Sequence, residues 1–125
     1  MWMCPQAICL CCPEGFRARH IWPKAVNLPK FKNAYAAGKY VAAICAAPSV
    51  LGGLGLLDGK KATCYPGFED KLTGAHCLTD NVVTDKNIIT SRGMGTAIEF
   101  SARLIALLKD EKTADELKKS IMFNY

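Results

Sequence analysis

Long apolar runs are missing from this 125-residue chain: no stretch approaches the roughly 18 residues that a membrane-spanning helix needs. The first residues lack a basic segment, an apolar core and a small-residue cleavage site, so no secretory signal is expected and a cytoplasmic location is. Acid is scarce at the front, where Glu14 is the only carboxylate before Asp58. No internal repeat is visible. The seven cysteines, an odd number, show no regular framework spacing, which argues for thiols rather than disulfides.

Half of the residues are apolar, enough for one domain with a single core. The net charge of +5 is unevenly placed. Arg17, Arg19, Lys24, Lys30, Lys32 and Lys39 face only Glu14 within residues 1–40, whereas ten basic and ten acidic side chains cancel in residues 41–125. Scattered cations in an irregular stretch do not build the basic, aromatic-bearing face that a nucleic-acid partner requires, and no such partner is expected. Composition changes at the same place. Residues 1–33 hold Cys4, Cys9, Cys11 and Cys12, both tryptophans, and Pro5, Pro13, Pro23 and Pro29, which interrupt helices. The division expected is therefore an irregular segment, 1–33, and a regular one, 34–125.

Ala7 to Cys12 reads as a buried strand closed by Pro13-Glu14-Gly15, and residues 16–32 give no period. Asn33 to Gly38 has the form of a last helical turn with Gly38 just past its end. Tyr40 to Cys45 is a strand, and Pro48 opens a helix predicted to reach about Leu57. Lys61 to Tyr65 reads as a short strand, with a helical turn after Pro66-Gly67. Val82–Thr84 and Ile88–Thr90 form a hairpin around Asp85-Lys86-Asn87. Thr96 and Glu99 form a capping box for the longest helix, whose buried face is Ile98, Ala102, Ile105 and Leu108, widened by Phe100, Leu104 and Leu107. Thr113 and Glu116 repeat the device for a last helix. Strands alternating with helices predict an α/β sandwich on a mostly parallel sheet.

Cys45 stands out. It ends an apolar strand, and Ala46-Ala47-Pro48 follow as the start of a helix. A strand turning sharply into a helix exposes the residue at the bend, and only small neighbours fit there. The helix behind it directs free N–H groups and a positive dipole end at the sulfur, favouring thiolate. The competing reading is a core cysteine packed as a small hydrophobe. In an open α/β sheet, ligands bind beyond the carboxyl ends of the strands, where Cys45 would lie.

Val41-Ala-Ala-Ile-Cys-Ala-Ala-Pro-Ser-Val-Leu51, Gly59-Lys-Lys-Ala-Thr63 and Ile88-Ile-Thr-Ser-Arg-Gly-Met-Gly-Thr-Ala-Ile-Glu-Phe100 together resemble the DJ-one/ThiJ/PfpI superfamily. Within it they are most similar to the branch of the parkinsonism-associated protein deglycase. The resemblance covers about residues 34–125 and implies a three-layer flavodoxin-like sandwich, lacking here the family's N-terminal portion. It also implies a homodimer, a nucleophilic cysteine at Cys45, and glyoxalase or deglycase chemistry on methylglyoxal-like dicarbonyls and their adducts, with no cofactor and no metal. The Ala46 N–H is then an oxyanion donor, and Gly15, Tyr65, Gly93 and Gly95 line the substrate pocket.

Three departures accompany the resemblance. The family's early glutamate, which activates the cysteine and moves a proton, has no counterpart, so activity is expected to be impaired. Glu14 stands where a Pro-Gly-Gly loop belongs, a position that often needs positive φ. Tyr65 occupies the place of a histidine found in some members, and Met94 that of a common proline. The composition of residues 1–33 suggests an out-of-frame or mispredicted stretch. Two other functions compete: a thiol sensor or redox chaperone centred on Cys45, and a metal module of Cys4, Cys9, Cys11, Cys12 and His20, whose spacing is poor for zinc. Arg92 reads as a solvated loop arginine.

Overall fold

Val41, Ala42, Ala43 and Ile44 divide their side chains between two separate cores, because successive residues of a strand point to opposite faces. In the computed structural model, which describes residues 2–4, 6–11 and 28–123, this strand (β3, Tyr40–Ile44) is the middle of five. The others are β1 (Trp2–Cys4), β2 (Ala7–Cys11), β6 (Val82–Asp85) and β7 (Ile88–Ser91), in the order β1-β2-β3-β7-β6. The three inner strands β2, β3 and β7 are parallel, and each outer strand runs antiparallel to its neighbour. The strand expected at Ala7–Cys12 is thus present over Ala7–Cys11, and Cys12 lies outside the described residues. A separate pair, β4 (Lys61–Ala62) and β5 (His76–Cys77), is also parallel.

Helices cover both faces, as such a sheet demands. On one side Val41, Ala43 and Ile88 pack with Phe31 of α1 (Leu28–Ala36) and Leu51 of α2 (Pro48–Gly53). On the other, Ala42, Ile44 and Ile89 pack with Cys9 and with Phe100 of α3 (Ala97–Leu108). Phe31, Leu51 and Ile89 have no exposed surface. This is the predicted three-layer α/β sandwich.

Several boundaries differ from the sequence reading. Helix α1 starts at Leu28, so Pro29 lies in its first turn, where the missing N–H would have had no partner anyway. It ends as expected: Gly38 has φ 74°, its N–H donates to the Tyr35 carbonyl, and the Lys39 N–H to that of Ala34. Helix α2 is shorter than predicted because the same motif recurs at Gly55, where φ is 75° and the Leu56 N–H donates to the Leu51 carbonyl. The hairpin turn tightens to Lys86-Asn87, with Lys86 at φ 54°. Asn87 then clamps the hairpin to β3's start, donating to the Tyr35 and Lys39 carbonyls and accepting from the Val41 N–H.

Helix α3 buries much of the face read from its sequence, Ala102 included. Phe100, Leu104 and Leu107, at spacings of four and three, meet the sheet, whereas Ile98 is 43% exposed. Helix α4 (Glu111–Ser120) is capped by Asp110 rather than Thr113: the Asp110 carboxylate accepts the Thr113 N–H at 2.6 Å. That bond holds its carboxyl below the usual aspartate range.

Gly52 marks the tightest contact of α2. A methyl group there would collide with the Lys71 carbonyl oxygen and the Leu72 Cα, both backbone atoms of the segment crossing over it. We expect Gly52→Ala to destabilise the fold by about 1–3 kcal/mol despite alanine's better helix propensity. Thermal unfolding followed by circular dichroism checks this; an unchanged or higher melting temperature would contradict the packing described.

Candidate active site at the strand–helix bend

Tyr40 to Ile44 runs straight, in register with β7 as far as Ile44 opposite Ser91. The next residue, Cys45, breaks the strand with φ 66°, a left-handed conformation that non-glycine residues rarely adopt. Helix α2 begins three residues later, with Pro48 in its first turn. The sharp bend predicted from Cys45-Ala-Ala-Pro48 is therefore present. Its strain, about 1–3 kcal/mol for such a residue, needs external support. Two hydrogen bonds supply it: the Cys45 N–H donates to the Ser91 carbonyl at 3.1 Å, and the Cys45 carbonyl accepts the Tyr65 N–H at 2.9 Å.

Cys45 is half-buried, touching the core of Ala42, Ile44, Ile89 and Phe100 from its edge. Among the described residues no carboxylate hydrogen-bonds to its sulfur. The Ala46 carbonyl accepts from both the hydroxyl and the N–H of Ser49, while among the described residues the Ala46 N–H has no acceptor. A donor beside a strained thiol is what stabilising a developing oxyanion requires.

Tyr65 reaches the bend through β4. The Thr63 N–H donates to Thr90 Oγ1 at 3.0 Å, fixing β4 beside β7, and the Tyr65 N–H then meets Cys45. The tyrosine ring is half-exposed and stands edge-on to Phe68, their centroids 6.5 Å apart. A Cβ on Gly93 would lie 3.4 Å from that ring, so Tyr65 and Gly93 do come together. Gly95 has open space around it, and Gly15 lies outside the described residues, as do Glu14, Cys12 and His20.

Arg92 is not solvated as expected. It is half-buried and donates to the Cys64 and Thr79 carbonyls, joining the segment after β4 to the one before β6. Thr96 does not cap α3. Its hydroxyl is occupied by Gly93 and Ser91, and Glu99 instead accepts from the Asn81 amide at 3.0 Å. The sequence reading missed the pairing of the Ser91 and Thr96 hydroxyls. The available signal was two small hydroxyl side chains flanking the glycine loop.

A groove of about 760 Å³, lined by Asp80, Glu99, Arg103, Glu111 and Lys118 among others, contains none of the predicted site residues. No cysteine lines it. Among the described residues, no group of three or more histidine, cysteine or acidic side chains is arranged to hold a metal. None of their helices is long and apolar enough to cross a membrane.

A positive-φ cysteine at a strand-to-helix bend, over the carboxyl ends of parallel strands, defines an α/β sandwich of the nucleophile-elbow type. The chain belongs to the DJ-1/PfpI family, whose model matches residues 6–107. It is 49% identical over 88 residues to the Arabidopsis thaliana protein DJ-1 homolog A, covering 68% of this chain and 22% of that one. Identity is 37% over 86 residues to a glutathione-independent glyoxalase of Caenorhabditis elegans, covering 67% and 46%, and 35% over 99 residues to a deglycase of Pyrococcus abyssi, covering 78% and 57%. The structure of oxidized Toxoplasma gondii DJ-1 superposes with a TM-score of 0.81 at 34% identity, covering 94% of this chain and 65% of that one. The chain thus spans less than half the length of the Arabidopsis and Caenorhabditis relatives.

The site also contains a second, very different thiol. Burial pushes the Cys64 thiol up to about 12 from an ordinary 9.0, helped by the Glu69 carboxylate and Cys77 and opposed by Arg92. Folded protein therefore keeps a proton that unfolded chain releases, and stability from this group is present below about pH 9 and lost as pH rises toward 12. We expect the urea midpoint to fall across that window, and to fall less in Cys64→Ala. At pH 8, exposed Cys77 should react with iodoacetamide well before Cys64. Equal labelling of the two would contradict the burial described.

Proposed function

We propose that the chain carries cysteine-dependent glyoxalase or deglycase chemistry on small dicarbonyls, with Cys45 as nucleophile. The observation that carries this reading is the Cys45 backbone at φ 66°, beside an Ala46 N–H with no acceptor among the described residues. The names of the Caenorhabditis and Pyrococcus relatives support the substrate class.

The Cys45 thiolate adds to the aldehyde carbon of methylglyoxal, forming a C–S bond while the carbonyl electron pair moves to oxygen. The Ala46 N–H stabilises that oxyanion, and protonation gives a hemithioacetal. A proton then moves from the sulfur-bearing carbon to the neighbouring one, and the hydroxyl proton to the neighbouring oxygen, converting the adduct to a thioester. Water cleaves the thioester, releasing lactate and the thiol, so no external oxidant is consumed. Tyr65 and Gly93 form a wall of the pocket.

The carbon-to-carbon proton transfer is the weak step. Glu14 is the only carboxylate before Asp58, and it does not stand where the resemblance puts a proton-shuttling glutamate. General acid–base assistance is worth about 10²–10⁴ in rate, so turnover should fall by about that factor below a full-length relative. The check is lactate formation from methylglyoxal by the chain and by Cys45→Ser. Slow formation abolished in the variant is expected; formation unaffected by the substitution would exclude the proposed nucleophile.

A second reading, an oxidative thiol sensor, is favoured by the half-exposed position of Cys45 and by the oxidized state named for the Toxoplasma structure. Sub-stoichiometric peroxide followed by mass analysis of the intact chain and its peptides separates the two. Oxidation confined to Cys45 without lactate formation supports the sensor, and uniform oxidation of all seven thiols opposes it.

A further inference from the structure

Ser91 has no exposed surface, yet its hydroxyl makes two short contacts, 2.6 Å to the Asn81 carbonyl and 2.7 Å to Thr96 Oγ1. A carbonyl oxygen only accepts, so the single Ser91 hydroxyl proton goes to Asn81. The Thr96 hydroxyl must then be the donor to Ser91. Its oxygen in turn accepts the Gly93 N–H at 3.1 Å. The Gly93 carbonyl also lies 3.0 Å from Thr96 Oγ1, but one proton cannot serve both, and the 2.7 Å contact is the shorter. The hydrogen bonds therefore run in one direction, from the Gly93 N–H through Thr96 and Ser91 to the Asn81 carbonyl. Donations aligned in this way polarise and strengthen one another in a low-dielectric setting.

Two members of this chain, Gly93 and Ser91, touch the site. Gly93 lies against the Tyr65 ring, and the carbonyl of Ser91 receives the Cys45 N–H. We propose that Thr96 and Ser91 are positioning residues for the reaction at Cys45. They hold the Arg92–Gly95 loop in one place relative to the bend, so that Tyr65, Gly93 and the sulfur keep a fixed spacing. The inference rests on Cys45 being the nucleophile, and it assigns to Thr96 a role distinct from capping α3.

The test compares the wild-type chain with Thr96→Val, which keeps the shape and removes the hydroxyl, and Thr96→Ser, which keeps the hydroxyl. Three measurements are made: exchange of the Gly93 amide by NMR, methylglyoxal consumption, and the ratio of Cys45 to Cys77 alkylation by iodoacetamide. Misplacement of reacting groups by a fraction of an ångström to 1 Å lowers rates by about tenfold to a hundredfold. Thr96→Val should therefore lose at least about tenfold in consumption and exchange Gly93 faster, while Thr96→Ser stays near wild type on both. A purely structural role would not be rescued by serine while thermal stability is equal in the two variants. If Thr96→Val does not fold, Ser91→Ala breaks the same chain one link later and is judged by the same readouts. Wild-type consumption matched by Thr96→Val, or serine as impaired as valine, overturns the proposal. Should the wild-type chain itself consume no methylglyoxal, the functional reading falls. The alkylation ratio then decides the positioning role: a changed ratio in Thr96→Val that serine restores supports it, and an unchanged ratio overturns it.

Discussion

A single backbone angle, the positive φ of Cys45, sets what the rest of the molecule must supply. Left to itself a cysteine at that angle relaxes, releasing about 1–3 kcal/mol. The Ser91 carbonyl and the Tyr65 amide hold it there, and each backbone hydrogen bond contributes a net of about 1 kcal/mol. Strain and support are therefore comparable in size. The bend is stable only when β7 and the segment after β4 are both in place, so forming the site and closing the sheet are one event.

The sheet explains why this position was available. Val41 to Ile44 needs small or branched residues on both sides, since helices cover both faces, and the two alanines let α2 and α3 approach closely. Parallel pairing of β2, β3 and β7 brings their carboxyl ends to one rim, where Cys45 and Arg92 follow directly from β3 and β7. The Asn87 clamp at the opposite end of β3 and β7 fixes their relative register. With the register fixed, Ser91 can only fall opposite Ile44, one residue before the bend.

Much of this was legible in the residues, for identifiable reasons. The strand–bend–helix at Cys45 and the glycine terminations at Gly38 carry strong local signals, because few residue types tolerate those angles. The Lys86-Asn87 turn was legible only to within a residue, since either strand can extend by one pair without moving an apolar side chain. The buried face of helix α3 was legible at Phe100, Ala102, Leu104 and Leu107 but not at Ile98: apolar residues occupy two stripes, and only contact with the sheet leaves Ile98 outside. The capping box at Thr96 and Glu99 failed for a related reason. Both side chains found partners distant from the helix end, Ser91 and Gly93 for one and Asn81 for the other, and sequence spacing carries no information about such competitors.

That competition has a chemical consequence. A backbone N–H supports an oxyanion only if it is not already committed, and the pocket's two obvious candidates differ in this respect. The Gly93 N–H is taken by Thr96, and the Thr96 N–H by the Gly93 carbonyl. The Ala46 N–H is the uncommitted one among the described residues, because Ser49 engages the other side of that residue, its carbonyl. The glycine loop is therefore suited to shaping the pocket and the bend to stabilising charge. In the proposed reaction the charge-stabilising donor lies on the peptide link that follows the nucleophile, so the backbone of the bend carries both. The hydroxyl chain behind the loop matters for the same reason: with its N–H engaged by Thr96, Gly93 contributes to the proposed site through its position.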